Sequence, residues 1–204
     1  MSYPVKKVFF GDHVFNIWSE VYEPAEDSFF FAENITVKDG ERVLDMGTGC
    51  GILGIIAAEK ASKVLAVDIN PHAVHCAKEN AKLNGVAEKM FFVQGDLFTA
   101  IKTEEKFDLI LFNAPYLPSE PYEGTTWLGR AWAGGTNGRA IIDRFAHEVP
   151  KHLEKGDRVL LLQSTLANVN KTLKILEAEG LKTRIAAKLD LPLFETIVLI
   201  EAKP

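Results

Sequence analysis

From Arg42 to Glu179, short apolar runs alternate with stretches of helical character, and nothing else in the chain limits its possible folds as tightly. Residues 42–46, 63–69, 89–94, 107–112 and 157–163 read as strands. Residues 52–61, 138–153 and 166–179 read as helices. Another helix opens at Asn70 as N-cap with Pro71 in its first turn and runs to about Leu83, and Gly180 closes the last one. Strands joined through helices require crossovers, so the sheet is expected to be parallel with helices on both faces. Two final extended segments, 181–188 and 194–201, predict an antiparallel addition. Ahead of this rhythm, Val5, Val8 and Phe10, then Val14, Phe15 and Ile17, alternate around Gly11-Asp12 like a hairpin, and a turn over 21–28 leads into a short helix at 26–34. The 204 residues read as one α/β domain, with 1–34 an extension of a 35–204 core.

Open α/β sheets place ligands at the carboxyl ends of their strands. Residues 107–112 end in Asn113-Ala114-Pro115-Tyr116. A carboxamide, a carbonyl held by a following proline and an aromatic ring together can hold a planar NH2 group still. That combination points to transfer onto an amide or an amino-nucleobase.

The turn Asp45-Met46-Gly47-Thr48-Gly49-Cys50-Gly51 links a strand to a helix, and its glycines permit positive φ and close approach of backbone to a ligand. Asp68, ending the next strand, can accept hydrogen bonds from both hydroxyls of a ribose. Gly49, Gly51 and Gly54 also satisfy a dinucleotide pattern, so a nicotinamide enzyme competes on this motif alone. Asp45 argues against it, because a carboxylate there repels a pyrophosphate but suits an ammonium group. Asp96, after the third strand, suits an adenine amino group. S-adenosylmethionine, a sulfonium with an α-amino group, matches both acids, and Asn113–Tyr116 has no role in hydride transfer.

Residues 113–137 show no period yet carry Trp127, Trp132, Tyr116, Tyr122 and four glycines, which reads as a substrate-facing loop or lid. The two tryptophans read equally as loop anchors or as substrate contacts. A net charge of −5 does not favour direct nucleic-acid binding. No apolar stretch reaches membrane-spanning length, the start lacks a signal-peptide layout, and two cysteines, Cys50 and Cys76, suggest a reducing, cytoplasmic setting. His72, His75 and Cys76 share helical spacing, but with no further ligand cluster they read as exposed helix residues and no metal is expected.

With these motifs in order, the chain resembles class I S-adenosylmethionine-dependent methyltransferases, and more closely the HemK-like protein-glutamine methyltransferases. Residues 21–28 and 131–139 are similar to the archaeal and eukaryotic branch that modifies the class I translation termination factor, which lacks the N-terminal helical domain of its bacterial relatives. The resemblance implies a Rossmann-like, seven-stranded, mostly parallel sheet with a C-terminal antiparallel hairpin. It implies a cofactor across Asp45, Gly47, Gly49 and Gly51, with Asp68 on the ribose, Asp96 near the adenine and Asn113 also among the cofactor-binding residues. Tyr22 and Glu26 would help close over the methionine end. The substrate would be the glutamine of a Gly-Gly-Gln motif, its amide held by Asn113 and the Ala114 carbonyl and packed by Tyr116.

The family usually has proline where Ala114 stands. Pro115 still biases Ala114 toward an extended conformation, while Asn113 loses the corresponding restraint. If the family's strand order holds, residues 90–93 form an edge strand, a liability unless covered. A small zinc-binding activator protein is the family's candidate for that edge. The remaining alternatives are a nucleic-acid N6-adenine methyltransferase and a methyltransferase-like binding protein without turnover.

Overall fold

The computed structural model describes residues 6–204; Val5 and the start of the 1–34 extension lie outside the described residues. The chain divides into two compact units, Met1–Ala100 and Ile101–Pro204. Among the described residues, seven of the nine strands form one mixed sheet in the order β5-β4-β3-β6-β7-β9-β8, and β1 and β2 form a separate hairpin.

In the first unit, β1 (Lys6–Phe10) and β2 (His13–Ile17) pair antiparallel. α1 spans Glu26–Asn34. β3 (Arg42–Met46), β4 (Lys63–Asp68) and β5 (Met90–Gln94) run parallel, with Val43 opposite Val64 and Asp68 opposite Gln94. α2 (Ile52–Ala58) and α3 (Pro71–Leu83) supply the crossovers. α2 stops three residues short of its expected end, where Lys60 N–H turns back to Ala57 O and Lys60 O takes Gly40 N–H. The Asn70 side chain caps α3 by accepting from His72 N–H, as the Asn-Pro start predicts. β3 and β4 bury Val43, Leu44, Val64 and Val67, the near-continuous apolar run of a strand covered on both faces. β5 lies at the sheet's edge, with Met90 buried and Phe91 51% exposed beneath the Lys63 ammonium.

In the second unit, β6 (Leu109–Asn113) pairs parallel with β7 (Arg158–Ser164). Here α4 is Trp127–Arg130, α5 is Ala140–Glu148 and α6 is Val169–Ala178. β8 (Lys182–Asp190) and β9 (Thr196–Lys203) form the expected antiparallel pair, and β9 also runs antiparallel to β7. α5 is far shorter than the 138–153 expectation. Pro150 has no N–H to give Ala146, so the helix gives way to a 3-10 turn over Val149–His152. β6 starts two residues later than expected because Phe107 N–H is taken by His152 O; it then continues through Asn113. The core centres on Leu109–Leu111, Phe112 packed 4.5 Å from Phe145, and the fully buried β7.

Candidate active site

In the first unit the carboxyl ends of β3, β4 and β5 present Asp45, Asp68 and Asp96 in turn. Gly47, Gly49 and Gly51 all have positive φ (65°, 57° and 91°), so the turn folds back sharply into α2. Thr48 N–H bonds to Val67 O at 3.0 Å, and Gly51 N–H bonds to Thr48 O at 2.8 Å. Asp45 is fully buried and pins this turn: its Oδ2 accepts from Thr48 Oγ1 at 2.6 Å and from Gly54 N–H at 3.0 Å. Gly54 is required for that closeness, since a Cβ there would sit 2.7 Å from Asp45 Oδ2. Asp45 Oδ1 is buried and has no hydrogen-bond partner. Burial pushes the carboxyl up to about 7, only partly opposed by the bonds from Thr48 and Gly54. A buried acid with one unused oxygen beside a glycine cradle fits a ligand that brings a cationic N–H donor.

Asp68 Oδ2 accepts from Gly49 N–H and Oδ1 from Asn70 N–H, both at 2.9 Å. A carboxylate has about four lone-pair positions, so with backbone N–H groups of Gly49, Asn70 and Ile69 on it Asp68 can still accept from a ribose hydroxyl. Burial raises the Asp68 pKa, with the backbone N–H bonds from Asn70 and Gly49 acting against it. Asp96 is partly exposed and heads a tight turn, its N–H bonded to Thr99 Oγ1 at 3.1 Å. The next residue, Leu97, is held at φ 50° with its side chain buried.

The N-terminal motif reaches this region through Asn70, whose Nδ2 donates to Glu20 O at 2.7 Å. Tyr22 turns its hydroxyl toward Asp27 Oδ1 at 3.5 Å; burial, then Asp27, raises the pKa of the phenol. Glu26 is exposed, whereas Asp27 is buried and accepts from Ser28 N–H at 2.7 Å. Sequence reasoning named Glu26 and did not name Asp27; the two are adjacent acids in the first turn of α1, Asp27 turned inward and Glu26 toward water. Cys76 corrects an expectation. Instead of lying exposed with His72 and His75, it is buried, bonds through Sγ to Asn16 O at 3.1 Å, and is pushed up to about 11 by burial. Among the described residues no group of three or more His, Cys, Asp or Glu could hold a metal.

In the second unit Asn113 is the last residue of β6, opposite Leu162 of β7, and Ala114 N–H bonds to Leu162 O at 3.3 Å. Ala114 is buried, so its backbone is fixed by the sheet; Asn113, Pro115 and Tyr116 are partly exposed. The 113–137 stretch, expected to be without regular structure, folds back on itself. Leu117 N–H bonds to Trp132 O, Gly134 N–H to Leu117 O and Ser119 N–H to Gly135 O. Thr126 caps the one-turn α4, and the Arg130 guanidinium lies 4.7 Å from the Trp127 ring.

Gly138 (φ 71°) presses on the tetrapeptide, since a Cβ there would be 2.2 Å from Tyr116 O. Arg139, the last residue of the 131–139 motif, is buried and holds that turn in place. It donates through Nη1 to Ala167 O and Asn168 O, through Nη2 to Thr172 Oγ1 and Asp143, and through Nε to Asp143.

A strand, glycine turn and helix with acids ending three successive strands, within a seven-stranded sheet that closes on an antiparallel pair, define a class I methyltransferase. Residues 28–114 match the family model described as ribosomal protein L11 methyltransferase (PrmA). A Methanocaldococcus jannaschii protein, provisionally named protein N5-glutamine methyltransferase, is 46% identical over 90% of this chain and 91% of its own. The human methyltransferase HEMK2 is 34% identical over 81% of each chain. Among solved structures, the E. cuniculi Mtq2-Trm112 complex, responsible for methylation of the eRF1 translation termination factor, aligns with a TM-score of 0.69. Identity there is 25%, covering 90% of this chain and 98% of that one. The chain belongs to the HemK-like family of protein N5-glutamine methyltransferases.

Proposed function

We propose that this protein transfers a methyl group from S-adenosylmethionine to the side-chain nitrogen of the glutamine in the Gly-Gly-Gln motif of the class I translation termination factor. The observation that carries this reading is Asn113-Ala114-Pro115-Tyr116 at the end of β6, in a chain 46% identical to a protein bearing the glutamine methyltransferase name. Bound at the glycine turn, S-adenosylmethionine supplies an electrophilic methyl group on a sulfonium. Asp45 Oδ1 would accept from its ammonium group, Asp68 from the ribose, and Asp96 from the adenine amine, with Tyr22 and Glu26 closing the methionine end.

An amide nitrogen is a poor nucleophile because its lone pair is delocalised into the carbonyl. Orientation therefore has to supply most of the acceleration, roughly 7–11 kcal/mol where near-attack placement is good. The Asn113 side-chain oxygen and the Ala114 carbonyl would each accept one N–H of the target, aiming the remaining electron density at the methyl carbon and favouring the positive charge that grows on nitrogen. Methyl transfer would leave a neutral thioether on the donor and release one amide proton to solvent, and Asn113 and the Ala114 carbonyl would hold the amide N–H groups until that proton is lost. Tyr116 would pack on the amide plane and exclude water.

The reading requires the two units to act as one catalytic domain. It includes a small zinc-binding activator protein pairing with the open β5 edge at residues 90–93, for which the two-protein complex of the solved relative and the half-exposed Phe91 are the support. Free Cys50 and Cys76 suit a cytoplasmic setting, and among the described residues no helix is long and apolar enough to cross a membrane.

The test is labelled-methyl transfer to the termination factor, its Gly-Gly-Gln glutamine-to-alanine variant, DNA and RNA, with and without an added activator. Label on the wild-type factor alone supports the reading. Equal labelling of factor and variant overturns the glutamine assignment, and label on nucleic acid moves the target to an adenine amine.

A further inference from the structure

We propose that Asn80 is a positioning residue for the methyl-donor turn, its carboxamide joining the Cys50 carbonyl to strand β2 so that the N-terminal hairpin becomes part of the frame that sets donor affinity. This rests on the reading above, in which the donor lies on the glycine turn.

β2 pairs with β1 along one edge and turns its other edge toward α3. That second edge is paired by side chains. Val14 N–H donates to Asn84 Oδ1 at 3.0 Å and Val14 O accepts from Asn84 Nδ2 at 2.8 Å. Two residues on, Asn16 N–H donates to Asn80 Oδ1 at 2.8 Å and Asn16 O accepts from Asn80 Nδ2 at 3.0 Å. The spacings match. Residues four apart on a helix are separated by about 6 Å along its axis, and residues two apart on a strand by about 6.8 Å. Two carboxamides on one helix face thus stand in for the backbone of a neighbouring strand.

The second Nδ2 bond separates the two residues: Asn84 Nδ2 also donates within its own helix to Asn80 O at 2.8 Å, whereas Asn80 Nδ2 also donates to Cys50 O at 2.8 Å, a carbonyl between Gly49 and Gly51 of the donor turn. Asn80 is fully buried, and the turn lies against the same helix face: a Cβ on Gly51 would meet Ala77 Cβ at 3.1 Å and Ala77 Cα at 3.2 Å. Small residues Ala73, Cys76, Ala77 and Ala81 let the backbones approach, and the Asn80 amide then fixes the turn's height on the helix. The position needs one acceptor and two N–H donors on a short side chain. Aspartate lacks the donors, leucine lacks both, and glutamine is one methylene too long.

The test is calorimetric binding of S-adenosylmethionine and S-adenosylhomocysteine to the full chain, with hydrogen exchange at the Gly51 amide, whose bond to Thr48 O reports on the turn. Asn80→Ala is expected to weaken both ligands by about tenfold or more and to speed that exchange, while Asn84→Ala stays within about twofold of wild type. The KM for the acceptor should stay put in both, separating positioning from general loosening. Should Asn80→Ala fail to fold, Asn80→Asp keeps the acceptor for Asn16 N–H, has no N–H for Cys50 O, and is read by the same quantities. Wild-type affinity in the Asn80 variants overturns the inference alone. Equal weakening by Asn84→Ala assigns the effect to the hairpin and overturns the role of the Cys50 bond. No donor binding by wild-type protein overturns the donor reading, and the inference with it.

Discussion

The donor region and the acceptor region are built by different means. Around Asp45 and Asp68 the chain is held by side chains reaching main-chain groups: carboxylates on Gly49, Gly54 and Asn70, and carboxamides on Cys50, Asn16 and Val14. Around Asn113–Tyr116 it is held by main chain against main chain. Residues 117–119 pair with 132–135, Gly138 abuts Tyr116 O, and one buried arginine secures the far end. The first design fixes a turn against a helix. The second fixes a loop against itself, so its geometry depends on distant residues that never touch a substrate.

The contrast predicts variants that separate the two functions. Asn113→Ala removes an acceptor for the target amide and nothing from the donor turn. Transfer should fall by roughly 10²–10³-fold with donor affinity unchanged, read by single-turnover kinetics beside calorimetry. Transfer near the wild-type rate would remove Asn113 from the mechanism. Gly138→Ala should cost somewhat less, roughly 10²-fold in transfer, because its Cβ must displace the Tyr116 carbonyl from a position its positive φ already strains. Donor affinity should again hold; if it fell in parallel, the two regions are not separable.

Arg139→Lys keeps the charge but loses the fork that bonds Ala167, Asn168, Thr172 and Asp143 together. A loss of about 2–4 kcal/mol in unfolding free energy is expected, with transfer reduced by about tenfold. Denaturant titration and the acceptor KM report the two effects. An unchanged midpoint would show that the buried network does not carry the loop.

The same contrast explains what the sequence could reveal. β3, α3 and the Asn70 cap were legible because strand burial and helix capping are set by residues close in sequence. Glycines and acids at strand ends are likewise local, so Asp45 and Asp68 could be found without a structure, though not that backbone N–H groups already occupy both Asp68 oxygens. Arg139 and the folded 117–135 segment were not legible. Their partners lie up to 33 residues away, as in the Arg139–Thr172 bond, and no periodicity records such a pairing. Cys76 escaped because helical spacing gives a face but not which face is covered: β2 covers it, through Asn16.

The smallest effect belongs to Asp45 and runs in opposite directions for stability and for binding. Its carboxyl titrates at about 7 in the folded protein against an ordinary value of 3.8, so between roughly pH 4 and 7 the folded state binds the extra proton. Stability from this group is therefore greatest below pH 4 and declines as pH rises through 7, where the buried carboxylate must carry its charge. Asp45→Asn removes that penalty while its amide oxygen can still accept from Thr48 and Gly54, so at pH 8 the variant should melt several degrees above wild type, the gap narrowing as pH falls below 7 and closing only near pH 4. Donor binding should move the other way. Wild-type affinity should rise several-fold from pH 6 to pH 8 as Asp45 ionises to receive an ammonium group, while the variant stays flat and weaker throughout. A variant that binds donor as tightly as wild type at pH 8 would mean that Asp45 serves only to pin the turn, and the difference between the two regions would then lie wholly in how they are held.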